Sequence, residues 1–265
     1  MRKQLSTNNK PHKTLIRGNI DLKPANVNRA ESPARSLASI EAVTFDAGGT
    51  LIEPWPSVGE VYASVAREFG LDCSAARLSA QFANAWTTRT GFKYSRDEWH
   101  DVVRHSFLGL SDVSPQLFEA IYERFAQADA WLIYDDVIPT LQRLEAMGLK
   151  LAVISNWDDR LIPLLEKLGL ATYFDDIIVS ALHGVHKPDA SIFHHAAERL
   201  SIPIESLLHI GDSLREDVIG AQSAGASAFR IRRSGRENGS DIQSLTELEA
   251  VIRKNNVSPT LNKTL

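Results

Sequence analysis

Beyond residue 40 the chain alternates between two kinds of apolar pattern. Ala42–Phe45, Leu149–Ile154, Ile177–Val179, Leu207–Ile210 and Ala228–Ile231 are short runs, apolar almost throughout. Such runs fit strands buried on both faces of a sheet. Between them apolar residues recur at steps of three and four. Val137, Ile138, Leu141, Leu144 and Met147 form one such stripe before the second strand. Leu161, Leu164, Leu165 and Leu168 form another after it. Strand alternating with helix predicts an α/β fold, a doubly wound, Rossmann-like parallel sheet.

Residues 55–130 break that rhythm and carry no strand pattern. Val58, Val61, Tyr62, Val65, Ala66 and Phe69 follow helical spacing, as do Leu117, Phe118, Ile121, Tyr122 and Phe125. Two more helical stretches lie between them, around Ala75–Ala85 and Arg96–Phe107. An all-helical block between the first and second strands predicts a cap, residues 55–130, inserted into a core of residues 40–54 and 131–254. A cap so placed can close over the strand ends and exclude water.

Composition narrows the setting. With 43% apolar and 23% charged residues, the chain reads as a soluble globular protein. Cys73 is the only cysteine, so no intrachain disulfide can form and a reducing, cytoplasmic compartment is expected. No apolar run approaches the roughly 20 residues of a membrane-spanning helix. The net charge of -4 is unevenly spread. Residues 1–36 hold eight Lys/Arg and two Asp/Glu, which makes them +6 and the remainder -10. Residues 1–39 read as a disordered basic tail, and 255–265 as a frayed end. The basic, acid-poor start also admits an organellar transit peptide or a nucleic-acid arm. The acidic body argues against nucleic acid as the main partner.

The candidate chemistry sits at strand ends, where open α/β sheets bind ligands. Asp46 follows the first strand and is followed by Gly48, Gly49 and Thr50. Ser155-Asn156 follow the second, Lys187 stands before a helix, and Asp212 and Asp217 follow the fourth. A carboxylate, a hydroxyl, an ammonium and further carboxylates in that order suit phosphoryl transfer. Asp46 would attack phosphorus and form an aspartyl-phosphate. Mg²⁺ takes oxygen ligands in octahedral geometry. Asp46, the Gly48 carbonyl, Asp212 and waters can supply them, with Asp217 close behind in the same set. Ser155, Asn156, Lys187 and the loop amides near Gly49 and Thr50 would hold the phosphoryl oxygens.

In order these motifs, with Gly220-Ala221 and Ala224-Gly225 after the last, resemble the haloacid dehalogenase-like superfamily, subfamily I, over roughly residues 40 to 235. The cap run Ser95-Arg96, Trp99, Val102-Val103 and Phe107 is similar to the haloacid dehalogenase-like hydrolase domain-containing protein 3 group. The resemblance implies a Mg²⁺-dependent phosphatase acting on a small phosphorylated metabolite, with the metal between Asp46 and Asp212.

Gly48 departs from the pattern. Phosphatases of the family place there a second Asp, which protonates the leaving group and then activates water. Acid–base catalysis is worth about 10²–10⁴-fold, so its loss costs about 3–5 kcal/mol of barrier for alkyl phosphates. Glu53, Lys93, His183 and His186 are the nearest replacements in sequence. A non-catalytic or regulatory protein binding a phospho-ligand or a protein partner is the alternative from another class. The resemblance also raises two neighbouring chemistries. Dehalogenases need no Mg²⁺ and tend to carry Tyr where this chain has Phe193. Phosphonoacetaldehyde hydrolases use a cap Lys, and Lys93 is the only Lys between residues 55 and 130. Trp55, Trp99 and Trp157 are candidates for a cap–core cleft, and Arg230, Arg232, Arg233 and Arg236 for an anion-attracting loop.

Overall fold

A computed structural model describes residues 39–89, 91–233 and 241–256. The expected tails lie outside these residues almost entirely, as does Arg236. Five strands form one parallel sheet: β1 (Ala42–Phe45), β4 (Lys150–Ser155), β5 (Asp176–Val179), β6 (Leu207–Gly211) and β7 (Ser227–Arg230). Their spatial order is β5-β4-β1-β6-β7. All five expected runs are strands, none displaced by more than one residue at either end.

β1 pairs with β4 on one side and β6 on the other, Phe45 facing Val153 and Ile210. The order therefore reverses at β1, and its carboxyl end is the natural ligand position of the sheet. One face packs Val43, Phe45, Val153 and Ile210 against α5 (Val137–Ala146), α6 (Leu161–Lys167) and α10 (Leu248–Asn256). The other packs Ala42, Ala152, Ile154 and Leu207 against α8 (Ala190–Arg199) and α9 (Gly220–Ala224). The short α7 (Ser180–His183) follows β5 directly.

The inserted block has its own core, built on Tyr62, Leu78, Val103, Phe107, Leu117 and Ile121. Its helices are α1 (Val58–Glu68), α2 (Ala75–Thr88), α3 (Arg96–Ser106) and α4 (Pro115–Arg124). Each starts at a serine N-cap: Ser57, Ser74, Ser95 and Ser114 accept hydrogen bonds from amides three residues on. Glu98 completes a capping box with Ser95, and Pro115 occupies the first turn of α4, where a missing N–H costs nothing.

Two strands were not foreseen. β2 (Ile52–Pro54) and β3 (Trp131–Ile133) pair antiparallel where the chain enters and leaves the block. Three residues are too few to show alternation, and a proline within a run argues against a strand except at an edge. No described helix is long and apolar enough to cross a membrane.

Candidate active site

Asp46 leaves β1 with its amide bonded to the Ile210 carbonyl at 2.8 Å, which fixes it between the two central strands. Its side chain is buried. Asp46 Oδ1 accepts from Ser155 Oγ, at the end of β4, at 2.9 Å and from Lys187 Nζ at 2.7 Å. Lys187 Nζ also donates to Asp217 Oδ1 at 2.6 Å. Asp217 lies on a π-helical turn, Leu214–Ile219, between β6 and α9. Such turns are often found where a helix must place a functional side chain.

Behind Asp217 stand two residues outside the expected site, His209 and Thr44. His209 on β6 has Nε2 3.1 Å from Asp217 Oδ1 and Nδ1 2.9 Å from Thr44 Oγ1 on β1. Burial lowers the His209 pKa, which keeps the ring neutral. An ionised carboxylate only accepts, so Nε2–H donates to Asp217 and the Thr44 hydroxyl donates to Nδ1. A continuous polar chain thus runs from Thr44 through His209, Asp217 and Lys187 to Asp46.

Electrostatics follow from this packing. Burial opposes the charged form of Lys187, but Asp217 and Asp46 hold its pKa above the usual value. Burial likewise opposes ionised Asp217, and Lys187 and His209 overcome it, so its pKa is lowered. Asp46 is pushed up, first by burial and then by the Asp217 charge, against the pull of Lys187. Asp212 is also raised. Its side chain reaches solvent in the cavity, yet surrounding protein makes burial the leading cause, ahead of the Asp46 and Asp217 charges. Three carboxylates facing one ammonium leave a surplus of negative charge.

That surplus and the all-oxygen donor set fit a hard divalent cation. Gly49 lets the Asp212 carboxylate lie against the loop: φ is 72°, and a Cβ there would lie 2.9 Å from Asp212 Oδ2. Among the described residues no three His, Cys, Asp or Glu side chains form a ready cage. Asp217, expected in the metal set, is bonded to protein donors at both oxygens. Its Oδ1 is engaged by Lys187 and His209, and its Oδ2 accepts from the Ser213 amide at 2.9 Å. Of the expected metal set, two carboxylates, Asp46 and Asp212, are left without Asp217 as a further carboxylate partner.

The anion-binding expectations change in the same way. The Gly49 amide donates to Ile52 O at 2.8 Å and the Thr50 amide to Ala47 O at 3.4 Å. Asn156 holds the Lys187 loop: Nδ2 donates to Lys187 O at 2.9 Å and Oδ1 accepts from Lys187 N at 2.8 Å. It also donates to Glu216 Oε2 at 3.1 Å. Among the described residues, the Ala47 and Gly48 amides next to Asp46 have no hydrogen-bond acceptor.

Gly48 is not in the left-handed region. What limits it is a ring: a Cβ at Gly48 would sit 3.2 Å from Trp157 Cζ3. Trp157 is fixed by Ser180, whose Oγ accepts from its amide at 3.1 Å, and by the Trp131 ring at 5.2 Å. The place of the family's second carboxylate is thus bordered by an indole. None of the four expected replacements lines the cavity that holds Asp46. Glu53 accepts from the Tyr134 hydroxyl, His183 stacks on His195, and His186 stacks on Tyr94 with Nε2 3.3 Å from Lys93 O. Lys93 is exposed. Besides Asp46, Asp212 and Asp217, Glu216 is a carboxylate that does line it.

The cavity has a volume of about 510 Å³ and lies between the strand ends and the helical block. Several contacts tie the block down. Arg160 holds Asp158 by Nη2–Oδ2 at 2.6 Å, donates to Tyr122 O at 2.6 Å and lies over the Tyr122 ring at 3.4 Å. Others are the His186–Tyr94 stack and the bond from Lys167 Nζ to Ala126 O at 2.8 Å. Trp99 and Trp157 line the cavity, whereas Trp55 is half exposed. The arginine run is no single patch: Arg230 Nε donates to Asp212 O at 2.8 Å, while Arg233 pairs with Asp136.

The family model of the haloacid dehalogenase-like hydrolases matches residues 40–225. The chain belongs to that family. It is 33% identical to haloacid dehalogenase-like hydrolase domain-containing protein 3 of Danio rerio over 233 residues, 80% of this chain and 96% of that one. Among solved structures, a haloacid dehalogenase-like phosphatase from Thermococcus onnurineus superposes with a TM-score of 0.60 at 28% identity, covering 80% of this chain and 98% of that one. A 2-haloacid dehalogenase from Pseudomonas syringae pv. Tomato DC3000 does so at 0.59 and 25%, covering 81% and 99%. This haloacid dehalogenase-like hydrolase therefore shares its fold with enzymes of both chemistries, and only its own site can separate them.

Proposed function

We propose that this chain is a phosphatase that passes the phosphoryl group of a small ester to Asp46 and then to water. One observation carries the reading. Lys187 and Ser155 converge on a single oxygen of Asp46 while Asp212 stands near enough to feel its charge, so an oriented carboxylate adjoins a place suited to a divalent cation. Displacement of halide gives Asp212 no such task.

In the first step an oxygen of Asp46 bonds to phosphorus as the ester P–O bond breaks. The leaving oxygen keeps the electron pair and takes its proton from solvent, because no acid stands at Gly48. In the second step water attacks phosphorus, the bond to Asp46 breaks, and a proton is lost to solvent. Lys187, Ser155 and the Ala47 and Gly48 amides offer donors to the phosphoryl oxygens. Asp217 and His209 hold Lys187 in place. Mg²⁺ suits the oxygens of Asp46, Asp212 and the Gly48 carbonyl, and when bound it would neutralise phosphoryl charge.

The Trp157 ring beside Gly48 favours a second reading, phospho-ligand binding without turnover. Phosphate release from an aryl phosphate, measured with and without Mg²⁺, separates the two. Release that depends on Mg²⁺ and falls at least about 10³-fold in Asp46→Asn supports the phosphatase. Equal release by both proteins places the chemistry elsewhere, and none from wild type leaves binding alone.

A further inference from the structure

We infer that the substrate is the phosphate ester of a planar aromatic or conjugated hydroxyl compound, an aryl or enol phosphate, whose ring system enters the helical block. This deepens the phosphatase reading and rests on it. Two independent features converge: what lines the upper half of the cavity, and what is missing at its base.

The upper half is built from rings. Tyr62, Phe82, Trp86, Tyr94, Trp99 and Phe125 all line it. Phe82, Trp86 and Trp99 form a row of near-parallel rings, with centroids 5.9 and 5.5 Å apart and interplanar angles of 14° and 15°. Tyr94 stands edge-on to both tryptophans, at 6.3 and 6.2 Å. Its φ of 61° is in the left-handed region, costly for a non-glycine residue, and such strain gathers at ligand clamps. A flat apolar body is what such a wall accepts.

The wall also says what it does not accept. Among its residues from Pro54 to Trp131 there is no Asp, Glu, Asn, Gln, Ser, Thr, His or Lys. The polar groups there are the hydroxyls of Tyr62, Tyr94 and Tyr122, the indole N–H groups of Trp86, Trp99 and Trp131, and Arg89. These suit one or two oxygens of a flat ligand better than the many hydroxyls of a sugar or polyol, each costly if left unpaired. Of the three arginines lining the cavity, Arg160 is held by Asp158, Arg230 donates to the Asp212 carbonyl, and Arg89 lies over the Trp86 ring. An aromatic wall can also hold a quaternary ammonium. Here, however, Arg89 and Arg160 already cover ring faces of Trp86 and Tyr122 with positive charge.

The base supplies the second feature. With Gly48 and the Trp157 ring at the acid's position, no carboxylate stands there to protonate the leaving oxygen, which favours a leaving group that needs no proton. The P–O bond breaks with the electron pair on that oxygen, and a phenolate or enolate spreads the charge into its π system. An alkoxide cannot. The leaving group the base tolerates is the one the wall accommodates.

The test compares kcat/KM for 2-naphthyl phosphate, acetyl phosphate, phosphocholine and glucose 6-phosphate in wild type and Trp86→Ala. Acetyl phosphate has a good leaving group and no ring. The expected result is at least a tenfold lower KM for naphthyl than for acetyl phosphate, and a naphthyl-to-acetyl ratio of kcat/KM that falls about tenfold in Trp86→Ala. Should that variant fold poorly, Trp86→Leu removes the flat face and keeps more of the apolar volume than alanine does. Equal KM values, an unchanged ratio, or a preference for phosphocholine or glucose 6-phosphate overturns the inference. Acetyl phosphate hydrolysed through Asp46 without ring preference overturns the inference alone and leaves the phosphatase reading standing. Tryptophan quenching in Asp46→Asn reads the ring pocket without turnover. Naphthyl phosphate binding tenfold tighter than inorganic phosphate supports the ring pocket, and equal binding overturns it.

Discussion

At the strand ends, charge is organised pairwise: Lys187 lies between Asp46 and Asp217, His209 between Asp217 and Thr44, and Ser155 on Asp46. Across the cavity, the helical block presents rings that touch one another through many weak contacts. The two halves would respond differently to damage. Removing one member of a buried ion network strands the others. Removing one ring from a row costs an increment of packing and leaves its neighbours in place.

The largest effect should follow from breaking the lower half at its centre. Lys187→Met leaves Asp46 and Asp217 buried without their cation. It should cost about 3–5 kcal/mol, read from urea denaturation at neutral pH. Trp86→Leu should cost about 1–2 kcal/mol in the same assay. The comparison fails if the ring substitution is the more damaging.

A smaller effect belongs to an ion pair outside the cavity. Asp136, at the start of α5, accepts from Arg233 at 2.6 Å, from Ser244 Oγ at 2.7 Å and from the Leu245 amide at 2.8 Å, which ties α5 to the segment leading into α10. Burial opposes its charge, but these donors prevail and lower its pKa from 3.8. A depressed folded pKa gives stability that is present above the unfolded value and lost as pH falls through the folded one. Asp136→Asn should therefore lower stability by about 1–2 kcal/mol at neutral pH. The gap from wild type should close as pH drops below the unfolded value of 3.8. A gap constant down to pH 3 would show that the carboxylate's charge is not what holds the segment.

The same contrast explains what the sequence could tell. The strands were readable because their runs are apolar almost throughout, and Asp46, Ser155 and Asp212 because each follows a strand. Lys187 and Asp217 were readable by order, but their partners were not. That Asp217 faces Lys187 and His209 depends on a π-helical turn, which leaves no mark in the spacing. His209 did leave one: a polar residue within the run Leu207–Ile210, paired in register with Thr44. The ring wall left none. Tyr62, Trp86 and Trp99 sit at helical positions where packing and ligand contact require the same residues, and only the folded block separates the two. Asp158 and Arg160, directly after Trp157, draw meaning only from Tyr122, far away in sequence.

The central claim is that a phosphoryl-transfer site is complete except for its acid, whose place is bordered by Trp157. The direct measurement is rapid mixing with an aryl phosphate and an alkyl phosphate, on wild type and on Gly48→Asp combined with Trp157→Phe. Phe is shorter at the edge that meets Gly48, and the fold of the double variant is checked by thermal melting. Wild type should release one phenolate per Asp46 in a burst, leave the Asp46 peptide carrying a phosphoryl group, and turn over slowly. The double variant should lose the burst and gain about 10²-fold in alkyl phosphate turnover. A folded double variant that keeps the wild-type burst and gains nothing on the alkyl ester would contradict the account.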